Sequence, residues 1–304
     1  MNLSATGIII DHYGDILLIQ RDDTHTLAPP GGAAEIGELP TETVAREVRE
    51  ETGLIVMPVR LVGMYFVTFR SKDYLSLTFR CIMRGGEIST SHESPKAGFF
   101  KTDPFPNPML NFHKERIEKS LSHHGGPPYW GTHSVSWRLR LVGLALNYIV
   151  YPWLDFRRRS KGSPRYQPPP NWIALASVIV RDEHDQVLWI KSSPDSAEWM
   201  LPTIRCASGQ SPWEAAVQMF RSEFKTYLEL LDVSGIYTDQ NEAKIAFSFI
   251  GRLVSSTSDQ LINTNADFFA AGEEPPHALS QHILQVQDAQ NSEQEITYRL
   301  ISED

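Results

Sequence analysis

With 304 residues, 41% hydrophobic and 21% charged, the chain has the make-up of a soluble globular protein long enough for two domains, each with its own core. A formal net charge of −9 argues against general nucleic-acid binding, which needs a basic surface to neutralise phosphates. The two cysteines, Cys81 and Cys206, have no Cys or His partner at metal-ligand spacing, so no disulfide framework is expected and a reducing cytoplasm suits them.

In chain order, the first apolar run (7–10) has no basic segment or long hydrophobic stretch ahead of it, which argues against a secretory signal. A second strand, 16–20, ends at Arg21, and Pro30-Gly31-Gly32 makes a turn. The spacing then predicts a helix over 41–52, with Val44, Ala45 and Val48 on an apolar stripe and Gly53 placed to cap its end. Glu47, Glu50 and Glu51 stand at i, i+3 and i+4 on one face of that helix. Like charges at such spacings cost about 0.2–0.5 kcal/mol per pair. The cluster makes sense where a hard cation with oxygen ligands, Mg²⁺ or Mn²⁺, neutralises it. A solvated acidic face is the alternative, and the Gly31-Gly32 turn, Glu38 and Arg46 argue against it. Strands follow through Gly63 and Tyr65 and over 75–84, then a loop with Glu93, the pair Phe99-Phe100, and a helix from Asn111.

The fixed positions between Gly32 and Leu54 are Gly32, Glu38, Arg46, Glu47, Val48, Glu50, Glu51, Gly53 and Leu54, preceded by Pro30-Gly31. At these spacings the segment resembles the Nudix box, with every fixed position filled. The resemblance implies an α/β/α sandwich with a mixed sheet between helices and the box as a loop–helix–loop. It also implies water attack on a diphosphate joined to a further group, assisted by two or three Mg²⁺ ions. Carried onto this chain, Glu47, Glu50 and Glu51 form the metal-binding and base cluster, with a backbone carbonyl from Gly32. Arg46 would orient Glu47 by a charge-assisted hydrogen bond, and Glu38 would brace the loop or reach metal through water. Glu93 is a second candidate base, with a solvated loop acid as its alternative. Arg21 is a candidate phosphate clamp, with an exposed strand-end Arg as its alternative.

The second half repeats the first. Pro30, Pro40 and Gly63 correspond to Pro202, Pro212 and Gly235, and Leu110 with His113 to Leu279 with His282. In the copy, Glu38, Arg46, Glu47 and Glu50 become Gln210, Gln218, Met219 and Ser222, and only Glu51 keeps its carboxylate, as Glu223. One carboxylate beside Met219 and Phe220 holds a cation poorly. The helix 212–224 reads instead as a packing element using Ala216, Met219, Phe220 and Phe224. The organisation expected is a catalytic unit over 1–124, a Pro/Gly-bounded basic connector over 125–170, and a degenerate, non-catalytic Nudix-like unit over 171–304 that includes a C-terminal tail.

The connector lies between Gly125-Gly126-Pro127-Pro128 and Pro168-Pro169-Pro170. Its stretch 139–154 is apolar on nearly every face but short for a membrane span, which needs about 20 apolar residues. A partly helical connector buried between the domains or at a homodimer contact is expected; attachment to anionic lipid through Trp137, Tyr151, Trp153 and neighbouring arginines is the alternative.

The sequence thus points to a metal-dependent hydrolase of a nucleotide-type small molecule. Two other readings are a nucleotide-metabolite sensor and a membrane-associated hydrolase of a lipid-linked diphosphate. Tyr65, Phe66, Phe69 and Tyr74 read either as a stacking surface for a base or as core.

Overall fold

In the computed structural model, residues 1–69, 72–89, 95–133, 168–193, 195–254, 265–270, 272–291 and 295–302 are described. The apolar stretch 139–154 and Glu93 lie outside them.

The first half runs β1 (Asn2–Ile9), β2 (Ile16–Gln20), β3 (Leu27–Ala28), β4 (Gly31–Ala33), α1 (Pro40–Thr52), β5 (Leu54–Phe69), β6 (Lys72–Gly86), β7 (Lys96–Phe100), α2 (Asn111–Ser122) and β8 (Tyr129–His133). Five strands form a mixed sheet in the order β4-β1-β6-β5-β8, with β1–β6 and β5–β8 parallel; β3-β2-β7 make a small antiparallel sheet. Alternation decides which helix each face meets. Gly7 lies against Val44 and Val48 of α1, while Arg116 of α2 reaches Ser76 on β6, so α1 and α2 cover opposite faces of the large sheet.

The second half repeats this with β9 (Ile173–Val180), β10 (Val187–Lys191), β11 (Trp199–Met200), β12 (Thr203–Arg205), α3 (Pro212–Ser222), β13 (Leu228–Asp239), β14 (Lys244–Leu253), β15 (Ala266–Phe269), α4 (Ser280–Asn291) and β16 (Thr297–Ile301). Its sheets, β12-β9-β14-β13-β16 and β11-β10-β15, have the same order and the same two parallel pairings. The chain is therefore a tandem of two α/β/α units with mixed sheets. Ala216, Met219 and Phe220 of α3 are fully buried and Phe224 nearly so, although the helix ends at Ser222 rather than 224.

Two features differ from the sequence expectation. The segment 129–133, expected in the connector, is an edge strand of the first sheet, and 297–301, expected in a tail, is its counterpart in the second. Separate cores were also expected. Each small sheet does pack its own cluster, but the α1- and α3-side faces of the large sheets share one continuous core. Phe66 meets Trp213 edge-on at 6.5 Å and Trp130 meets Phe249 at 6.3 Å, while Phe79 lies tilted against Tyr298 at 5.8 Å. Polar contacts rim this core: Gly209 N–H and Ser208 Oγ donate to Asp73, and Thr132 Oγ1 donates to Glu214. Among the described residues no helix is long and apolar enough to cross a membrane.

Candidate active site

The site is built where β4 hands over to α1. Pro40 opens the helix, Glu42 accepts a hydrogen bond from the Leu39 N–H, and Gly53 closes it in the left-handed region at φ 77°. Val44 and Val48 anchor one face to β1, which turns Arg46, Glu47 and Glu50 toward the β4 edge.

Arg46 ties that edge together. Its guanidinium forks onto Glu38 (Nε–Oε1 2.9 Å, Nη2–Oε2 3.1 Å), donates to Glu47 Oε1 at 2.9 Å and to the Ala33 carbonyl at 3.0 Å, and lies 3.4 Å from Glu50 Oε2. Glu38 also accepts from Thr43 Oγ1 at 2.8 Å and from the Glu35 N–H at 3.2 Å. Burial alone would raise the Glu38 pKa, but these hydrogen bonds, Arg46 first, together hold it below the usual glutamate value. The same bond to Glu38 raises Arg46 further.

Gly32 is required by packing: a Cβ there would overlap the Glu47 carboxylate. Gly31, at φ 153°, donates its N–H to Glu51 Oε2 at 2.8 Å. Gly32, Glu38, Arg46, Glu47 and Glu50 are thus brought together, with Glu51 on the adjoining amide. Among the described residues no three His, Cys, Asp or Glu converge as a ready-made metal cluster. Glu47 and Glu50 flank Arg46, and Glu50 has 60% of its side chain exposed. The donor set still fits a hard divalent cation: three carboxylates on one edge, all oxygen, beside a glycine whose missing side chain makes room for the Glu47 carboxylate.

Arg21 follows β2 and forks onto Asp23 at 2.9 and 2.7 Å. Its charge, after burial and Arg116, helps push His113 on α2 down to about 3.

A second group of residues was not singled out as a site from sequence. On the α2 face, Arg116 is 7% exposed and donates to Ser76 Oγ at 3.2 Å, with its guanidinium 4.6 Å from the Tyr65 ring centre and 5.3 Å from that of Phe112. Among the described residues no carboxylate forms a salt bridge with it, and its Nε has no hydrogen-bond partner. Burial lowers its pKa to about 10. His133 of β8 stacks on Tyr65 from 5.4 Å. The sequence signal was the buried stripe His113, Arg116, Ile117 and Ser120 at helical spacing, which sets two basic side chains on a core-facing surface.

A family model of the NUDIX domain matches residues 1–119. A MutT-like protein of Streptomyces ambofaciens is 35% identical over 132 residues, covering 43% of this chain and 83% of that protein. The chain belongs to the Nudix family. An ADP-ribose pyrophosphatase of Methanocaldococcus jannaschii is 36% identical over 120 residues, 38% of this chain and 70% of that protein. A MutT protein of Bacillus halodurans, known from a crystal structure, is 27% identical with a TM-score of 0.40, covering 45% of this chain and 92% of that one. As a Nudix hydrolase the chain is an enzyme of a family that uses divalent metal ions.

Proposed function

We propose that the first half hydrolyses a diphosphate bond in a nucleotide-type small molecule with Mg²⁺, and that the second half is non-catalytic. The observation that carries this reading is the Glu38–Arg46–Glu47 network over Gly32, an acidic edge held in one arrangement. Related proteins named as an ADP-ribose pyrophosphatase and an 8-oxo-dGTP diphosphatase favour the nucleotide class.

In this reading Glu47, Glu50 and Glu51 hold Mg²⁺, with Mn²⁺ as a substitute and Gly32 lending its carbonyl. The cation, when bound, neutralises phosphate oxygens and acidifies the attacking water. Glu47 takes the proton of that water as a new P–O bond forms and the bridging P–O bond breaks, with Glu93 the second candidate for this role. Arg46 keeps the Glu47 carboxylate oriented, and Glu38 keeps Arg46 in place. Arg21 remains a candidate phosphate contact. Arg116, buried with no salt-bridged carboxylate among the described residues, meets an anionic or carbonyl group of the substrate beyond the diphosphate, with Tyr65 and His133 beside it. The division into a catalytic unit, a connector and a degenerate unit follows from the losses at Gln210, Gln218, Met219 and Ser222.

The test is turnover of a panel of nucleoside triphosphates, nucleotide sugars, dinucleotides and isoprenoid diphosphates with Mg²⁺ and with EDTA. EDTA-sensitive release from a nucleotide is the expected result. Silence throughout, with ligand-induced thermal shifts retained, would replace the hydrolase with a sensor.

A further inference from the structure

The second half has lost the counterparts of Arg46 and Glu47 but keeps the turn that precedes them. Glu38 N–H donates to the Glu35 carbonyl at 3.3 Å, and Gln210 N–H to that of Ala207 at 3.2 Å. Each turn also closes through its last side chain, Glu38 accepting from Glu35 N–H at 3.2 Å and Gln210 from Ala207 N–H at 3.4 Å. Gly37 and Gly209 take the left-handed conformation at φ 80° and 81°. The halves meet reciprocally too. Trp130 of β8 packs on Phe249 of β14, and Tyr298 of β16 packs on Phe79 of β6, so equivalent strands exchange equivalent contacts about an approximate two-fold axis.

In this arrangement each turn abuts the β-hairpin of the other half. Gly209 N–H donates to Asp73, at the start of β6, at 2.8 Å. A Cβ on Gly37 would stand only 2.9 Å from the carbonyl oxygen of Gln240, at the tip between β13 and β14. The left-handed backbone and this close approach both call for glycine. The two contacts differ in what lies behind them. Gln210 follows Gly209, and Gln218 offers it no guanidinium. Glu38 follows Gly37, forks onto Arg46, and Arg46 holds Glu47.

The catalytic-side turn has little packing of its own: between buried Ala34 and Pro40, Glu35 and Ile36 are exposed. The hairpin tip behind Gly37 is firmly made. Asp239, 3% exposed, accepts the N–H groups of Asn241 at 2.8 Å and Glu242 at 2.9 Å, and Gln240 N–H donates to the Ile301 carbonyl on β16 at 3.0 Å.

We infer that the second half is a positioning element of the first half's site. Its β13–β14 tip, shaped by Asp239, braces Gly37 and so keeps Glu38, Arg46 and Glu47 in register. Gly37 and Asp239 are positioning residues, acting through Arg46. The inference rests on the hydrolytic centre proposed above and gives the non-catalytic half a task that needs none of the lost carboxylates.

Hydrogen–deuterium exchange and steady-state kinetics on the full chain test it, below the melting temperature of each variant. In Asp239→Ala the peptide 33–39 should exchange at least about fivefold faster than in the wild type. Its kcat should fall at least about tenfold, with KM within about threefold. Asp239→Asn keeps the accepting oxygen and should restore both. Asp73→Ala, which loosens the reciprocal contact, should leave kcat and exchange over 33–39 as in the wild type. If Asp239→Ala does not fold, Asn241→Gly with Glu242→Gly loosens the exposed tip from outside and should act in the same direction. Wild-type exchange over 33–39 in the loosened hairpin, an equal effect from Asp73→Ala, or raised exchange with kcat unchanged overturns the inference. Raised exchange in a chain whose wild type cleaves no nucleotide supports the brace and overturns the hydrolytic reading instead.

Discussion

The carboxylate of Glu47 fills the space beside Gly32 that any side chain at that position would need. The glycine is therefore fixed by a neighbour on α1 as much as by the turn. Gly32→Ala should displace Glu47 and cut kcat by about 100-fold, the scale of a 1 Å misplacement, with a far smaller change in Tm. Steady-state kinetics beside a thermal melt would check it.

Glu38 couples the site to pH. Its folded pKa lies below the ordinary 4.5, so its stabilising effect is complete above that value and is lost as the pH falls through the lower folded one. The wild-type Tm should drop steeply on acidification below about pH 4.5, and Glu38→Gln should flatten that part of the profile while starting from a lower Tm at pH 7. Melts across pH 3–7 would read both.

Arg116 sets stability against function. A buried guanidinium without a carboxylate is costly, and replacing buried charge by an apolar side chain of similar size is often neutral or stabilising. Arg116→Met should therefore keep or raise Tm, while KM for the substrate rises at least tenfold and kcat changes less. A fall in Tm with KM unchanged would make the residue purely structural.

Asp73 joins the halves through Gly209 N–H at 2.8 Å and Ser208 Oγ at 3.1 Å. Asp73→Ala leaves that amide unpaired and should destabilise by about 1–3 kcal/mol. Because the large sheets share a core, urea unfolding should remain a single transition at a lower midpoint rather than split in two. Equilibrium unfolding followed by tryptophan fluorescence and by circular dichroism would decide.

What could be read from the sequence was what is local. The helix, its Gly53 cap and the Glu38–Arg46–Glu47 spacing all lie within 22 residues, and the repeat followed from matched prolines, glycines and aromatics. The buried face of α3 followed from periodicity alone. The parallel strands β8 and β16 were not legible. Each pairs with a strand some 60 residues away, and Gly125-Gly126-Pro127-Pro128 before β8 reads as a boundary. The shared core escaped for a similar reason: Phe66 read as core or as a stacking surface, and nothing local says that the partners of Phe66, Phe79 and Trp130 belong to the other half. Arg116 was hidden because a basic residue on a helix is ordinarily a solvated one.

The most direct measurement is Mg²⁺-dependent turnover by Glu50→Gln beside the wild type on whichever nucleotide the wild type cleaves. Glu50 is 60% exposed and its 3.4 Å pairing with Arg46 is weak, so folding should be little affected and Tm should stay level or rise as like charges are relieved. Loss of turnover by about 100-fold or more at that unchanged Tm is the predicted result. Turnover retained in Glu50→Gln would contradict the assignment of the acidic edge as the hydrolytic centre.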